Sequence, residues 1–505
     1  MKIIKLLIAF LVFTLFANAQ QKVYNITDFG AKSGIGNLNT IAIQSAIEAA
    51  SKNGGQVFIP KGQFVTGSIE LKDNVELFVS EDAELLGSTN RMDYGIGPAR
   101  ALIYAKDRQN VSVDGKGTIN GRGAEVVKNL ISLLHEGKLQ DDTWVVKRPG
   151  EANRPKLVAF VNCRNVRVKN VLLKNSAGWV QDFIGCDQVT IDRIKVESTV
   201  YWNNDGIDIV NSKNVSITNC DIDAADDGIC LKSEGAPGIC ENIYVANCKI
   251  RSSANGFKIG TGSYGGFRNI KVKNITVYNT YRSAIALEAV DGGFIDGVDI
   301  DGVDANYVGN PIFIRLGHRN TDEKYSSVKN IRIANLKAYI PNAKPDAGYP
   351  IEGPLPKSAP HNLLPASIVG IPGHDITNVS IENINITYGG GAKKEVAYIP
   401  DERVSEVNEN IAGYPEFSMF GELPAWGFYV RHAKNISFSN VSLSYQLPDF
   451  RAALIFDDVD TININKLNID STVNEHIILL KQTSKFSIKQ SNFPNGIKSP
   501  VKILK

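Results

Sequence analysis

The sequence predicts an all-β solenoid, a parallel β-helix with an N-terminal capping helix and long loop insertions. Three observations carry that prediction. Short strand signals recur along most of the chain, starting near Asn110, Asn165, Gln188, Asn214, Asn242, Asn269, Phe294, Asn330, Asn378, Asn435, Thr461 and Phe486. Many share one form, an Asn followed by alternating apolar residues and a second Asn, as in Asn165 to Asn170, Asn269 to Asn274, Asn378 to Asn383 and Asn435 to Asn440. Between Asn165 and Phe294 the period stays between 23 and 28 residues. Each turn of such a repeat buries its inward apolar residues on the next, and asparagines at equivalent corners can hydrogen-bond in ladders. A leucine-rich repeat needs a leucine consensus that is absent, and propeller blades run nearer about 40 residues.

The elements follow in order. Residues 1–19 combine Lys2 and Lys5, an apolar run from Leu6 to Phe16 and Ala17-Asn18-Ala19, the layout of a cleavable signal peptide. The run is too short for the roughly 20 apolar residues of a membrane span, and no later stretch approaches that length. The mature chain is therefore expected to be exported (periplasmic or secreted) and not inserted in a membrane. Residues 20–90 read as the N-terminal cap and first coils. Within them Thr40 to Lys52 is helical by period, with Ile41, Ile43, Ile47 and Ala50 on one side and Asn53-Gly54-Gly55 after it. Such a helix would cover the apolar open end of a solenoid. Residues 91–505 read as the β-helix proper, with insertions near 91–155, 341–372 and 389–426, all in one continuous domain. A second helix is expected from Glu125 to Glu136. The proline-rich excursions would form cleft walls or lids, or only shield a flank, and the Tyr414 to Trp426 segment is aromatic enough to meet a sugar.

Composition excludes several functions. Without Lys2 and Lys5 the chain has 53 basic and 53 acidic residues, so bulk charge does not point to nucleic acid. No His-Glu-x-x-His, paired Cys-x-x-Cys, phosphate-binding glycine loop or Gly-x-Ser-x-Gly occurs, and neither a metal nor a cofactor is expected. The acidic run from Asp291 to Asp304 lacks a calcium-loop pattern. Three of the six cysteines, Cys163, Cys220 and Cys248, follow an Asn and are expected to stack at one corner of successive coils. Cys220 with Cys248, or Cys230 with Cys240, would be near enough to bridge.

The chemistry-bearing stretch is Tyr201 to Ser233. Asp205 and the pair Asp226 and Asp227 stand where strand alternation breaks into turns, and strands on adjacent coils lie about 4.8 Å apart. Three carboxyls can therefore converge. Glycosidic hydrolysis needs one protonated and one ionised carboxyl, and neighbouring like charges help to split the two. The plain reading is that Asp205-Gly206 and Asp227-Gly228 are turns.

These motifs resemble family 28 of the glycoside hydrolases, the polygalacturonase family. Asn203-Asn204-Asp205 is similar to its Asn-Thr-Asp and Asp226-Asp227 to its Asp-Asp, with 21 residues from Asp205 to Asp226. The likeness extends to Asp28 to Ala31, Ile119 to Gly123, Arg154 to Leu157 and Asn175 to Trp179, which adds Trp179 as a substrate-binding candidate. It implies a right-handed β-helix that cleaves α-glycosidic bonds in pectin-type polysaccharide with inversion. Asp226 would be the general acid, and Asp205 with Asp227 would activate water.

Two family signatures are changed. Gly-His-Gly reads Ala254-Asn255-Gly256, and Arg-Ile-Lys reads Ala286-Leu287-Glu288, so both cations that hold the substrate carboxylate are missing. Strand parity sends Lys232, Lys258, Glu288 and Arg315 outward, in a row beside the acids. Lys258 and Arg315 would bind a carboxylate, or Lys258, Glu288 and Arg315 would form only a surface ion-pair ladder. His318 reads as an ordinary surface residue. The partner expected is a polysaccharide or oligosaccharide, attacked from a chain end if the insertions block the cleft. Alternatives are a glycosidase on rhamnogalacturonan or a neutral galactan, a polysaccharide lyase, and a non-catalytic glycan-binding protein.

Overall fold

The structure, a computed structural model, describes residues 22–144, 148–235, 238–346 and 358–505. Residues 1–19, expected to be a signal peptide, and part of the insertion near 341–372 lie outside the described residues. What is described is mostly β, and its strands pair in parallel with equivalent strands of neighbouring repeats. Arg164–Lys169 pairs with Asp187–Asp192, which pairs with Lys213–Thr218, which pairs with Ile239–Ala246. All the expected strand starts fall inside strands.

The alternation in the sequence becomes columns of buried β-branched residues. Val166, Val189, Val215, Ile243, Ile270 and Val298 stand in register on consecutive repeats. A single apolar cluster runs from Tyr24 to Leu480. Such side chains suit a pleated surface because their χ1 freedom is already small.

Asparagines turn the corners. Asn242 and Asn269 have φ of 57° and 53°, in the left-handed region that Asn tolerates better than most residues. Their amides form the expected ladder, Asn269 to Asn242 at 2.7 Å and Asn242 to Asn214 at 3.1 Å. A second ladder runs through Asn335, Asn383 and Asn440. Because one such residue turns the chain without breaking the pairing, later strands run unbroken for up to 24 residues, as in Gly266–Ala289. Separate short strands were expected there.

The capping helix spans Thr40–Ser51 and buries Ala42, Ile43, Ala46, Ile47 and Ala50 on the first strands. Ile41 belongs to the other side and is 84% exposed, against expectation. The second helix spans Gly123–His135. Among the described residues no helix is long and apolar enough to cross a membrane.

The cysteines need correction. All six are buried and unbridged. Cys220 and Cys248 share a corner, Lys249 N donating to Cys220 O, but Cys163 stands at a different one. There Asp187 N bonds Cys163 O, Lys213 N bonds Cys186 O and Glu241 N bonds Ser212 O, which stacks Cys163, Cys186, Ser212 and Cys240. They pack as small apolar residues.

The insertion near 389–426 covers the outer face of the later repeats. Val404, Val407, Met419, Phe420 and Leu423 pack on outward-facing Ala286, Phe313, Tyr429, Ile455 and Leu479 in a second apolar cluster. Trp426, expected near a sugar, is instead a buried core residue beside Tyr388 and Tyr445.

Candidate functional site

Three turns stack on consecutive repeats: Asp205-Gly206, Asp227-Gly228 and Asn255-Gly256. Gly206 N donates to Asp227 O at 2.9 Å, Gly228 N to Asn255 O at 2.8 Å, and Gly256 N to Ser283 O at 2.9 Å. The glycines have a packing reason, since a Cβ on Gly206 would lie 2.6 Å from Gly228 O and one on Gly228 2.8 Å from Gly256 O. Close stacking explains the glycines of these turns and leaves their acids unexplained.

The stack brings Asp205, Asp226 and Asp227 together, with one oxygen of each within 4.8 Å of the others. All three are buried. Desolvation, reinforced by Asp205 and Asp227, pushes the Asp226 carboxyl up to about 8. Burial also pushes Asp227 up, but Lys258, Lys232 and hydrogen bonds outweigh it and hold that carboxyl below the usual range. Asp205 is raised by burial, against the opposing pull of Lys232. One of its oxygens lies 3.3 Å from Lys232 Nζ. The other, Oδ1, takes no hydrogen bond from any described residue.

The neighbours hold this arrangement. Lys258 Nζ is 2.9 Å from Asp227 Oδ2 and 3.9 Å from Glu288 Oε2. Asn255 donates to Asp227 Oδ1 from its side-chain amide at 2.8 Å and from its backbone N–H at 3.1 Å, while its side-chain Oδ1 accepts from Ser283 N. Lys232 also binds Asp208, and its ammonium lies 4.3 Å from the centre of the Trp179 ring. Glu288 is fully buried, and desolvation pushes its carboxyl up to about 8 despite Lys258.

The expected outward row is partly corrected. Lys232, Lys258 and Glu288 do lie beside the acids, but all are buried, the two ammoniums face acids of the protein, and Glu288 faces Lys258. Arg315 does not join them. The insertion covers it completely, and its guanidinium donates to Gly370 O, Glu409 O and Asn410 O over the Phe420 ring. It anchors the insertion and faces no cleft. His318 is partly buried, stacked on Tyr325.

Several neighbours were missed. Asp182, Asp208 and Lys258 share one register column, so the alternation around Ile207 and Ile209 carried the signal for Asp208. Lys156 Nζ, 2.5 Å from Asp182, also lies over the Trp179 ring, 4.0 Å from its centre. Tyr414 was expected only as part of an aromatic segment. Its hydroxyl accepts from Lys258 Nζ at 3.4 Å. Arg282, buried near Asp226, Asp227 and Tyr414, sits in the strand Gly266–Ala289 where its pairing register shifts, with no pattern to announce it.

The model of the glycosyl hydrolases family 28 matches residues 50–339. The chain belongs to that family. A glycosyl hydrolase of this family is thus an enzyme acting on glycosidic bonds, and its similarities are to polygalacturonases. An exo-poly-alpha-D-galacturonosidase of Dickeya chrysanthemi is 29% identical over 259 residues, 43% of this chain and 43% of that protein. A probable polygalacturonase of Vitis vinifera is 25% identical over 402 residues, covering 73% and 75%. The chain thus spans less than half the length of the Dickeya protein. In fold it is similar to the exopolygalacturonase of Thermotoga maritima, with a TM-score of 0.60 at 24% identity over 84% of this chain and 92% of that one.

Proposed function

We propose that this family 28 chain is an exported hydrolase of α-glycosidic bonds in pectin-type polysaccharide, working from a chain end. Asp226 donates its proton to the leaving glycosidic oxygen, and Asp205 with Asp227 takes a proton from the attacking water. Water oxygen bonds the anomeric carbon as the carbon–oxygen bond to the leaving sugar breaks, with inversion. The observation that carries the reading is the convergence of three buried carboxyls within 4.8 Å, with Asp226 pushed up to about 8 beside a depressed Asp227.

The scaffold on this reading is one right-handed parallel β-helix domain behind a signal peptide at 1–19. In-register parallel stacking and the similarity to the Thermotoga enzyme support it. Chain-end attack is supported by the insertion, whose apolar cluster covers the sheet face just beyond Glu288.

The test is sugar release from polygalacturonate, rhamnogalacturonan and neutral galactans by wild type and Asp226→Asn, with ultraviolet absorbance recorded. Release that depends on Asp226 without new absorbance is expected. New absorbance would mean an unsaturated product and a lyase. Release unaffected by the substitution would remove Asp226 as the acid.

A further inference from the structure

Beyond Asp226 toward later repeats, the wall of the site is made by Lys258, Arg282, Glu288 and Tyr414. A substrate carboxylate there would need a cation to face it. Lys258 already lies against Asp227 and Glu288. Arg282 is 3% exposed, in the field of Tyr414, Asp226, Asp227 and Glu416. Arg319 grips Asp291 with two bonds of 2.8 and 3.0 Å, and Arg315 is bonded to carbonyls beneath the insertion. Ala286 lies in the apolar cluster that covers the neighbouring face.

With Lys258 and Arg282 turned to acids of the protein, the wall offers a sugar the carboxyl of Glu288 and the hydroxyl of Tyr414. A further carboxylate would lose its water beside the ionised Asp227, and like charges in a buried site oppose one another. A sugar hydroxyl meets no such opposition, and its hydrogen bonds replace those it made with water. The flank one repeat earlier differs. There Arg148 is exposed, donates to Asn203 at 2.8 Å and stands over the Trp202 ring.

We propose that the sugar bound between Asp226 and the Glu288–Tyr414 wall is neutral, recognised by its hydroxyls, and that it is the terminal residue the enzyme releases. The insertion's apolar cluster covers the sheet face on that side. This rests on the hydrolase reading above.

The experiment uses oligosaccharides that differ only in the terminal residue, galacturonate in one set and a neutral hexose or deoxyhexose in the other. The released monosaccharide is measured by chromatography, with Asp226→Asn as the blank. A neutral monosaccharide released on the order of tenfold faster, or more, than galacturonate is expected, because buried polar groups discriminate strongly. Galacturonate released as fast or faster overturns the inference and leaves the hydrolase reading standing. No release from either set above the blank overturns the hydrolase reading itself. Tyr414→Phe places the subsite: KM for the neutral substrate should rise on the order of tenfold with an unchanged melting temperature. An unchanged KM would remove Tyr414 from the subsite.

Discussion

Lys258 Nζ lies 2.9 Å from Asp227 Oδ2, and both groups are buried. This ion pair keeps Asp227 ionised one residue from a protonated Asp226. The folded carboxyl of Asp227 is depressed, so its contribution to stability is present above the unfolded value and fades as pH falls through the folded one. Lys258→Met should remove about 3–5 kcal/mol, read by denaturant unfolding, because it strands a buried charge. It should also move the acid limb of the activity profile to higher pH, and Lys258→Arg should restore part of both. A Met variant with native stability and an unshifted limb would sink this coupling.

Asp226 has the opposite sign. Its carboxyl is pushed up to about 8, so the folded state holds a proton that the unfolded state releases near 4. Stability therefore declines between those values as pH rises. Asp226→Asn should lower kcat by about 10²- to 10⁴-fold. It should also raise the melting temperature at pH 7, a gain that vanishes below pH 4. In the wild type, activity should fall as pH rises through about 8. An alkaline limb that persists in a partly active Asn variant would assign it to another group.

Stereochemistry gives an independent reading. One oxygen of each acid lies within 4.8 Å of the others, closer than the roughly 6.5–9.5 Å between carboxyls in many inverting enzymes. Inversion is expected here because water would sit against Asp205 and Asp227 together, with Asp226 on the leaving oxygen. Proton NMR of the first product formed should show the inverted anomer. A retained anomer would make one of the acids a nucleophile.

Phe420 ties the insertion to the outer sheet face, its ring 6.3 Å from that of Phe313 and 5.2 Å from the Arg315 guanidinium. Phe420→Ala should cost about 3–5 kcal/mol. If the insertion is what confines attack to chain ends, the variant should lower polymer viscosity faster per bond cut than wild type does. An unchanged ratio would separate the insertion from the mode of attack.

The corner asparagines can be tested on Asn242, whose φ is 57° and whose amide bonds Asn214 while its carbonyl oxygen accepts from Asn269. Asn242→Ala should cost roughly 1–2 kcal/mol from the left-handed backbone alone. Asn242→Gly removes that strain and should cost less, leaving the lost ladder bonds. Equal losses in equilibrium unfolding would mean the ladder, and not the backbone, sets the preference.

What the sequence by itself determined is local and repeated. Alternation placed Val215, Ile243 and Ile270 in one buried column and put the asparagines at corners, because each repeat meets its neighbour with the same pattern. The spacing of Asp205, Asp226 and Asp227 likewise predicted their convergence, since positions one period apart stack. The tertiary structure decided what no period encodes. The path of the 389–426 insertion buried Arg315 and Trp426, which parity and composition had placed near substrate, and brought Tyr414 to Lys258 across 156 residues. Cys163 moved to another corner because an Asn precedes more than one kind of turn. The protonation of Asp226 and Glu288 follows from how completely neighbouring repeats exclude water, and desolvation is set by everything that surrounds a group rather than by its own stretch of chain.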